Sequence, residues 1–358
     1  MEITEKKIGE HEQVLFGRHC EASYRGIIAI HSTALGPALG GTRLWHYADD
    51  EEAVTDVLRL SRGMTYKNAL AGLPLGGGKA IIISPGQAFD REKLFRAHGR
   101  FVETLGGRYI TAEDVATTTR DMGFVSLETK HVAGLEGRSG NPSPVTAHGV
   151  FRAILASAKY RWGTDDVAGR RVALQGCGSV GYHLAKELSQ AGARLIVTDV
   201  DAGRVETVVR DFKAERVAPE EIYKTCADIF APCALGGVIN DQTVPQLKVE
   251  IVVGAANNQL LEDRHGEALA ERGILYAPDY VANAGGVINV CIGVLGWERA
   301  RAAAKVDGIY DTLLNIFRVA ETRGIPTSMA ADQLAERRLE AGSGRGACNF
   351  RIVEAVTC

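Results

Sequence analysis

The stretch RVALQGCGSVGYHL, residues 171–184, is typical of a strand that turns through glycines into a helix. Gly176, Gly178 and Gly181 have the spacing of a dinucleotide-binding loop, in which the first glycine permits a tight turn. The second lets the backbone approach a pyrophosphate, and the third lets the helix lie close to the strand. The stretch therefore predicts a Rossmann domain that binds a nicotinamide dinucleotide.

An acidic residue favours NAD over NADP. Asp199 ends the next apolar run, 194–199, where a carboxylate would hydrogen-bond the hydroxyls of the adenosine ribose. It would repel the 2′-phosphate of NADP, although Arg204 lies close enough in the sequence to offset part of that repulsion. Ser179 and Val180 open the predicted helix, whose N-terminus would attract the pyrophosphate. The cofactor is therefore predicted to be NAD.

From residue 170 onward, apolar strand candidates alternate with helical stretches, which predicts a parallel, doubly wound sheet. The candidate strands are 171–175, 194–199, 228–232, 250–254 and 274–277. Ser143 followed by Pro144 is a helix start signal, with the serine as the expected cap, and predicts a helix to about residue 160. Helical patterns return at 302–324 and 329–339, and glycines at 342–346 indicate a flexible break.

The chain before residue 143 mixes strand-like runs with helical patterns, and we expect a second α/β domain there. The candidate strands are 24–31, 79–84 and 108–112. Within 90–105 the apolar residues repeat at helical spacing, which predicts an amphipathic helix that packs on a sheet.

Two lysines follow unusual local sequences: Lys67 in RGMTYKNA (62–69) and Lys79 in GGGKA (76–80). A phosphate loop of the Walker type needs glycine where Leu73 stands and Ser or Thr where Ala80 stands, so nucleotide hydrolysis is excluded. The glycines would instead bring a lysine to the edge of a cleft, where it can act as an acid or base. Read singly, each lysine is more often a solvated surface residue.

Polar groups also occur in ITAEDV (110–115), which contains Asp114, and in NPSPVTAHG (141–149), which contains Thr146. Taken alone, these groups suit helix starts. Together with the lysine segments they resemble the glutamate/leucine/phenylalanine/valine dehydrogenase family, and its leucine dehydrogenase branch in particular. The resemblance covers nearly the whole chain and also rests on LGPALGGTR (35–43), DIFAPCALGGVIND (228–241), GAANNQ (254–259) and YAPDYVANAGGVINV (276–290).

The resemblance implies an activity, which is NAD-dependent, reversible oxidative deamination of an L-amino acid to a 2-oxo acid, ammonia and NADH. Lys67 would hold the substrate carboxylate, Lys79 would activate the hydrolytic water, and Asp114 would exchange protons with the amino group. Thr146 and Asn258 would contact the nicotinamide. No metal is implied.

The resemblance also implies an organisation. Residues 1–142 would form a substrate-binding and oligomerisation domain, 143–325 the NAD-binding Rossmann domain, and 326–358 a C-terminal helix and tail that packs back on the first domain. A cleft would separate the two domains. The assembly would be a homo-oligomer, an octamer as in typical leucine dehydrogenases.

The side-chain pocket implied by the resemblance is apolar and consists of Leu39, Gly40, Ala112, Val287 and Val290. Glutamate-specific relatives carry lysine and serine where Leu39 and Val290 stand, so an acidic side chain would be desolvated without a partner. We therefore expect a branched-chain substrate, with leucine preferred. An aromatic substrate, phenylalanine or tryptophan, is the alternative because these residues do not fix the pocket volume. A catalytically silent NAD-binding regulator is the alternative of another class.

Composition and cysteine usage point to a cytoplasmic protein with small-molecule partners. The 41 basic and 44 acidic residues give a net charge of -3, which provides no field that attracts nucleic acid or an anionic membrane. The seven cysteines form no metal-like or disulfide-like framework, and no apolar run reaches the ~20 residues of a membrane helix. Two residues differ from the pattern expected of the family or of the glycine loop. His148 stands where leucine dehydrogenases usually have tyrosine, and we expect it to be a neutral, packed side chain. Cys177 is expected to be a small apolar filler.

Overall fold

The computed structural model describes residues 1–86, 88–137 and 140–343, which fold into two compact units. The first unit comprises Met1–Gly140, Val290–Glu298 and the chain from Ala335, and the second comprises Asn141–Asn289 and Arg299–Leu334. Residues 290–298 therefore belong to the first unit, whereas the predicted boundaries assigned them to the Rossmann domain. The division into functional domains stays a prediction.

A six-stranded mixed sheet forms the centre of the first unit. Its strands are β1 (Glu2–Lys6), β2 (Gln13–His19), β3 (Tyr24–Ser32), β4 (Ala38–Trp45), β5 (Gly76–Ile83) and β6 (Tyr109–Glu113), in the spatial order β1-β2-β3-β5-β4-β6. β4 runs parallel to both β5 and β6, while the other neighbours are antiparallel. The carboxyl ends of β4, β5 and β6 therefore meet at one edge of the sheet.

Helices cover both faces of this sheet: α1 (Asp50–Leu70), α2 (Arg91–Glu103) and α3 (Thr119–Ser126). Ile27 and Ala29 of β3 pack with α1, whereas Ile28 and Ile30 pack with α2 and α3. The alternation of the strand thus sends successive side chains to opposite helix layers. The helix predicted over 90–105 is confirmed as α2; β1, β2, β4 and α1 were not predicted.

The second unit contains a parallel sheet, as predicted. Its strands are β7 (Arg171–Gln175), β8 (Arg194–Thr198), β9 (Glu215–Arg216), β10 (Ile229–Pro232), β11 (Ile251–Val252) and β12 (Leu275–Tyr276), in the order β12-β11-β10-β7-β8-β9. Every neighbouring pair is parallel. The predicted α/β fold with a C-terminal Rossmann domain is confirmed.

The remaining helices are α4 (Ser143–Trp162), α5 (Ser179–Gln190), α6 (Ala202–Phe212), α7 (Arg264–Glu271), α8 (Asp279–Ala282), α9 (Gly285–Leu295), α10 (Arg299–Asp307), α11 (Ile309–Arg323) and α12 (Thr327–Ser343). Short 3₁₀ turns occur at Cys20–Ala22, Ile222–Lys224 and Val244–Gln246. The predicted joining helix is α4, but Ser143 does not cap it. Instead, Oδ1 of Asn141 accepts the N–H of Ser143 at 3.0 Å.

The predicted flexible break at 342–346 falls only partly within the described chain. Gly342 and Ser343 still belong to α12, and the rest of the break lies outside the described residues. No helix in the described part of the chain combines the length and apolar character that a membrane crossing needs.

A chain of buried polar groups ties α2 to the first sheet. His98 of α2 shares hydrogen bonds with Tyr24 Oη through Nδ1 and with Thr42 Oγ1 through Nε2, both at 2.8 Å. Thr42 Oγ1 also lies 2.6 Å from Thr111 Oγ1. Burial lowers the pKa of His98 to about 3, so the ring is neutral and the network contains no ion pair. Its buried polar groups therefore find their partners within the protein interior.

Replacement of Thr42 tests this network. Thr42→Val keeps the side-chain shape but removes the hydrogen bonds that Thr42 makes to Nε2 of His98 and to Oγ1 of Thr111. Because both groups are buried, we expect unfolding to become easier by about 1–3 kcal/mol. Urea unfolding followed by circular dichroism measures the loss. The matched control is Thr55→Val, at an exposed position of α1, which should change stability by less than ~0.5 kcal/mol. Equal stability of the two variants would contradict this account.

Candidate active site

A lysine in the middle of β5 and a carboxylate just after β6 form a largely buried ion pair. Lys79 of β5 is 4% exposed, and its Nζ lies 2.9 Å from Oδ1 of Asp114, the residue that follows β6. Arg43 of β4 places its Nε 3.2 Å from Oδ2 of the same carboxylate. Burial raises the pKa of Asp114, but the positive charges of Lys79 and Arg43 outweigh it and lower the pKa to about 2. The carboxylate is therefore anionic at neutral pH.

The glycines before Lys79 allow α1 to approach β5. A Cβ atom at Gly77 would overlap the backbone of Thr65 in α1. Asn68 of α1 donates from Nδ2 to the carbonyl oxygen of Gly76 at 2.6 Å. Lys67, partly buried, lies in the same last turn of α1. The first unit therefore fixes the turn that carries Lys67 against the strand that carries Lys79.

The end of α12 also holds this turn of α1. Arg338 donates from Nη1 to the carbonyl oxygens of Ala69 and Leu70, at 2.8 and 2.7 Å. Tyr66 donates its hydroxyl to Oε1 of Glu336 at 2.8 Å. Carbonyl groups at a helix C-terminus have no partners within the helix, and a guanidinium group there satisfies them and complements the helix dipole.

The predicted pocket residues fall on three elements. Leu39 and Gly40 lie near the start of β4, and Ala112 lies near the end of the neighbouring β6. Leu39 is buried, with 2% exposure, and Ala112 is partly buried. Val287 and Val290 are partly buried residues one turn apart on α9. The strand residues thus lie beside Lys79, and all five are apolar.

The glycine loop of the second unit fits a dinucleotide pyrophosphate. Gly176 has a φ of +104°, which glycine adopts readily, and a Cβ at Gly181 would overlap the carbonyl oxygen of Gly176. A Cβ at Gly178 would instead meet open space, with Nη1 of Arg204 its nearest neighbour at 3.8 Å. Among the described residues no side chain caps the start of α5 at Ser179. Free N–H groups beside an open space are what a pyrophosphate requires.

Asp199 follows β8 and points its carboxylate toward this loop. Oδ2 accepts the N–H of Cys177 at 2.7 Å, and Oδ1 accepts the N–H of Asp201 at 2.9 Å. The remaining lone pairs can accept ribose hydroxyls. Arg204 pairs with Asp201 at 3.3 Å, so part of its charge is neutralised. Burial, with a contribution from the charge of Asp199, raises the pKa of Cys177 to about 12, which agrees with an inert filler.

Asn258 and Thr146, the predicted nicotinamide contacts, occupy fixed positions in the second unit. Asn258 has a φ of +52°, and its N–H donates to Oδ2 of Asp279 at 2.7 Å. Tyr276 donates its hydroxyl to Oδ1 of Asp279 at 2.9 Å. Thr146 of α4 lies against α9, since a Cβ at Gly286 would lie 3.0 Å from its Oγ1. Asp279 therefore holds Asn258 in a conformation that few residues adopt.

Comparisons with known proteins agree with this architecture. Residues 16–131 match the Glu/Leu/Phe/Val dehydrogenase dimerisation domain, and residues 198–340 match the Glutamate/Leucine/Phenylalanine/Valine dehydrogenase domain. A leucine dehydrogenase of Thermoactinomyces intermedius is 54% identical over 334 residues, which cover 92% of this chain and 91% of the relative. The chain belongs to this dehydrogenase family.

Two further family members bear on substrate choice. A phenylalanine dehydrogenase of Caldalkalibacillus thermarum is 46% identical over 349 residues, which cover 94% of each chain. The crystal structure of L-tryptophan dehydrogenase from Nostoc punctiforme has a TM-score of 0.84 and 47% identity, and covers 94% of this chain and 98% of that one. The protein is thus an NAD-dependent oxidoreductase of the amino-acid dehydrogenase type.

The sequence patterns did not identify several residues near these sites. Arg43 lies inside the segment 35–43, but β4 was not predicted. The position of Arg43 on the same sheet face as Lys79 could therefore not be predicted either. Val200 and Leu235, 95% and 79% exposed, are apolar residues that follow β8 and β10 on either side of the glycine loop strand. An apolar residue directly after the predicted strand ending at Asp199 was the available signal for the first of these.

His148 of α4 differs from its expected neutral, packed state. Its Nδ1 lies 2.8 Å from Glu187 of α5, and its Nε2 lies 3.2 Å from Asp307 of α10. Its side chain is 41% exposed. The hydrogen bond to Glu187 raises the pKa of His148, burial lowers it in part, and the net shift is upward. Two carboxylates from distant parts of the chain therefore favour the charged ring, whereas a neutral ring was expected.

The stability of the second unit should depend on pH through His148. A histidine with a raised pKa stabilises the fold fully below its ordinary pKa of 6.5, and this contribution disappears as pH rises through the folded-state value. We expect His148→Gln to lose roughly 0.3–1 kcal/mol at pH 6, an amount limited by solvent screening, and close to nothing at pH 9. Thermal unfolding at both pH values tests this. A deficit that is larger at pH 9 would contradict it.

Proposed function

We propose that this protein catalyses the reversible oxidative deamination of a branched-chain L-amino acid, with leucine preferred, to the 2-oxo acid, ammonia and NADH. The largely buried Lys79–Asp114 pair, whose charged atoms lie 2.9 Å apart on the first sheet, is the observation that carries this proposal. It supplies an acid–base group and a carboxylate in contact, as the proton transfers require. The 54% identity to a leucine dehydrogenase supports the choice of substrate.

The substrate would be held at both ends. Lys67 binds its carboxylate, which orients the α-hydrogen for transfer. The aliphatic side chain lies against apolar residues, which exclude water and leave an acidic side chain without a partner. These residues are Leu39, Gly40, Ala112, Val287 and Val290.

NAD, when bound, supplies the acceptor for the hydride that leaves the α-carbon. Asp199 would hold the adenosine ribose, and Thr146 and Asn258 the nicotinamide carboxamide. Val200 and Leu235 would flank the adenine. The backbone of the glycine loop and the start of α5 would hold the pyrophosphate through Gly176, Gly178, Ser179, Val180 and Gly181.

Proton transfers would then divide between two residues. Asp114, as an anion, accepts a proton from the substrate ammonium, which frees the nitrogen lone pair for loss of hydride. The resulting iminium is attacked by water, whose proton goes to Lys79. Asp114 then returns its proton to the nitrogen, and ammonia leaves as the carbinolamine hydroxyl gives up its own proton, which forms the carbonyl group of the 2-oxo acid. Amino acid, NAD⁺ and water thus give 2-oxo acid, ammonium, NADH and one proton.

An aromatic substrate is the second candidate, because tryptophan and phenylalanine dehydrogenases are 49% and 46% identical to this chain. A silent NAD-binding regulator is disfavoured, because it would have no use for a buried lysine–carboxylate pair. We further propose a cytoplasmic homo-oligomer, octameric as its resemblance to leucine dehydrogenases implies. The description of the matched segment 16–131 as a dimerisation domain supports self-association.

The substrate proposal is tested by NADH formation at alkaline pH with leucine, valine, isoleucine, phenylalanine, tryptophan and glutamate. We expect kcat/KM to be highest for leucine and within about 200-fold for valine, because one methylene contributes only ~1–3 kcal/mol. Glutamate should be inactive. A tryptophan or phenylalanine preference would establish the aromatic alternative, and inactivity with all six would support the regulator.

The role of Lys79 is tested by Lys79→Ala. Loss of the base should lower kcat by about 10²–10⁴-fold while NADH still binds, which fluorescence titration measures. Lys93→Ala is the matched control, because Lys93 is 70% exposed on α2. Turnover by Lys79→Ala at the control rate would remove Lys79 from the mechanism.

A further inference from the structure

The carboxylate of Asp114 is held by two cations of different kinds. Lys79, on β5, contacts Oδ1, whereas Arg43, on β4, contacts Oδ2. In the proposed reaction Lys79 gains and loses a proton, so its charge is intermittent. A guanidinium group keeps its charge throughout, since its pKa stays above 12. Only one of the two positive charges beside Asp114 is therefore permanent.

Arg43 is itself fixed from a second direction. Its Nη1 lies 3.0 Å from Oδ2 of Asp56 in α1, and the Tyr47 hydroxyl donates to the same oxygen at 2.7 Å. The side chains of Arg43, Asp56 and Asp114 are only 21–25% exposed, so solvent screens their charges weakly. The guanidinium group of Arg43 thus bridges the carboxylates of Asp114 and Asp56 through its Nε and Nη1 atoms.

We infer that Arg43 is a positioning residue of the proposed reaction: it fixes Oδ2 of Asp114 and supplies the positive charge that balances this carboxylate while Lys79 is neutral. Without it, a largely buried carboxylate beside a neutral lysine would take up a proton and could no longer accept one from the substrate. This inference rests on the proposed function. Neither the motif spacing nor the resemblance assigned a role to Arg43.

The charged and titratable groups around Asp114 come from every neighbouring element. Lys79 faces it from β5, Arg43 from β4, and Asp56 from α1 through Arg43. Tyr47 and Tyr109 are also near, and burial raises the pKa of both phenols well above the ordinary value, so they stay neutral. Among these groups, Lys79 is therefore the neighbour of Asp114 that changes charge during the reaction. Removal of the fixed positive charge of Arg43, or of the fixed negative charge of Asp56, should move the pH profile in a known direction.

The test compares pH profiles of kcat and kcat/KM for NADH formation with leucine, or with the best substrate of the panel. In Arg43→Gln, loss of a positive charge favours the protonated form of nearby groups, so we expect the acidic limb to move up by about one pH unit. We also expect kcat to fall at least about tenfold at neutral pH. Arg43→Lys should recover much of the shift, because it keeps the charge. Asp56→Asn, which removes a negative charge, should move the limb the opposite way.

The control is Arg91→Gln, which breaks an arginine–carboxylate pair, 2.6 Å long, with Asp121 of α3 in the same unit. It should leave the profile unchanged. The inference would be overturned if the acidic limb of the pH profile stays in place in Arg43→Gln, or if it moves by the same amount in Arg91→Gln. If Arg43→Gln does not fold, a downward move of the acidic limb in Asp56→Asn, with a limb close to that of the wild type in Arg43→Lys, supports the inference. An unmoved or upward limb in Asp56→Asn overturns it. Inactive wild-type protein would instead overturn the proposed function.

Discussion

A carboxylate that is largely buried must be balanced by positive charge, and this constraint explains much of the first unit. The two cations that balance Asp114 come from adjacent strands, and they meet it only because β4 runs parallel to β5 and β6. The glycines of β5 serve the same arrangement, since they let the helix that carries Lys67 lie close to Lys79.

The Rossmann half was predictable because its signals are local. A glycine loop between a strand and a helix, followed by an acidic residue at the end of the next strand, specifies a fold and a cofactor within about 30 residues. All five strands predicted there occur. β4 and α1, in contrast, were missed for a physical reason. β4 contains two glycines, which have low strand propensity, and the buried face of α1 turns polar at Ser61, Thr65 and Asn68. Apolar periodicity therefore fails where the helix faces the candidate site.

Contacts between distant segments mark the other limit of sequence reasoning. The roles of Lys79 and Asp114 were implied by family resemblance. Their direct contact, and the contact of Arg43 with Asp114, depend on the order of the strands in the sheet, which the sequence patterns did not predict. His148 shows the same limit. Its two carboxylate partners, Glu187 and Asp307, lie on helices that no local pattern connects with it. The charge state of a histidine depends on such partners, so the identity of the residue alone could not determine it.

The hold of Arg338 on the end of α1 has a consequence for how the protein is made. α1 is synthesised early, but Arg338, which donates to the carbonyl oxygens of Ala69 and Leu70, belongs to the last helix that the structure describes, after nearly all of the second unit. The hydrogen bonds from Arg338 to the end of α1 therefore form only when translation is almost finished. A nascent or prematurely terminated chain would contain both lysines and the glycine strand, yet would lack this tie between α12 and the turn that carries Lys67.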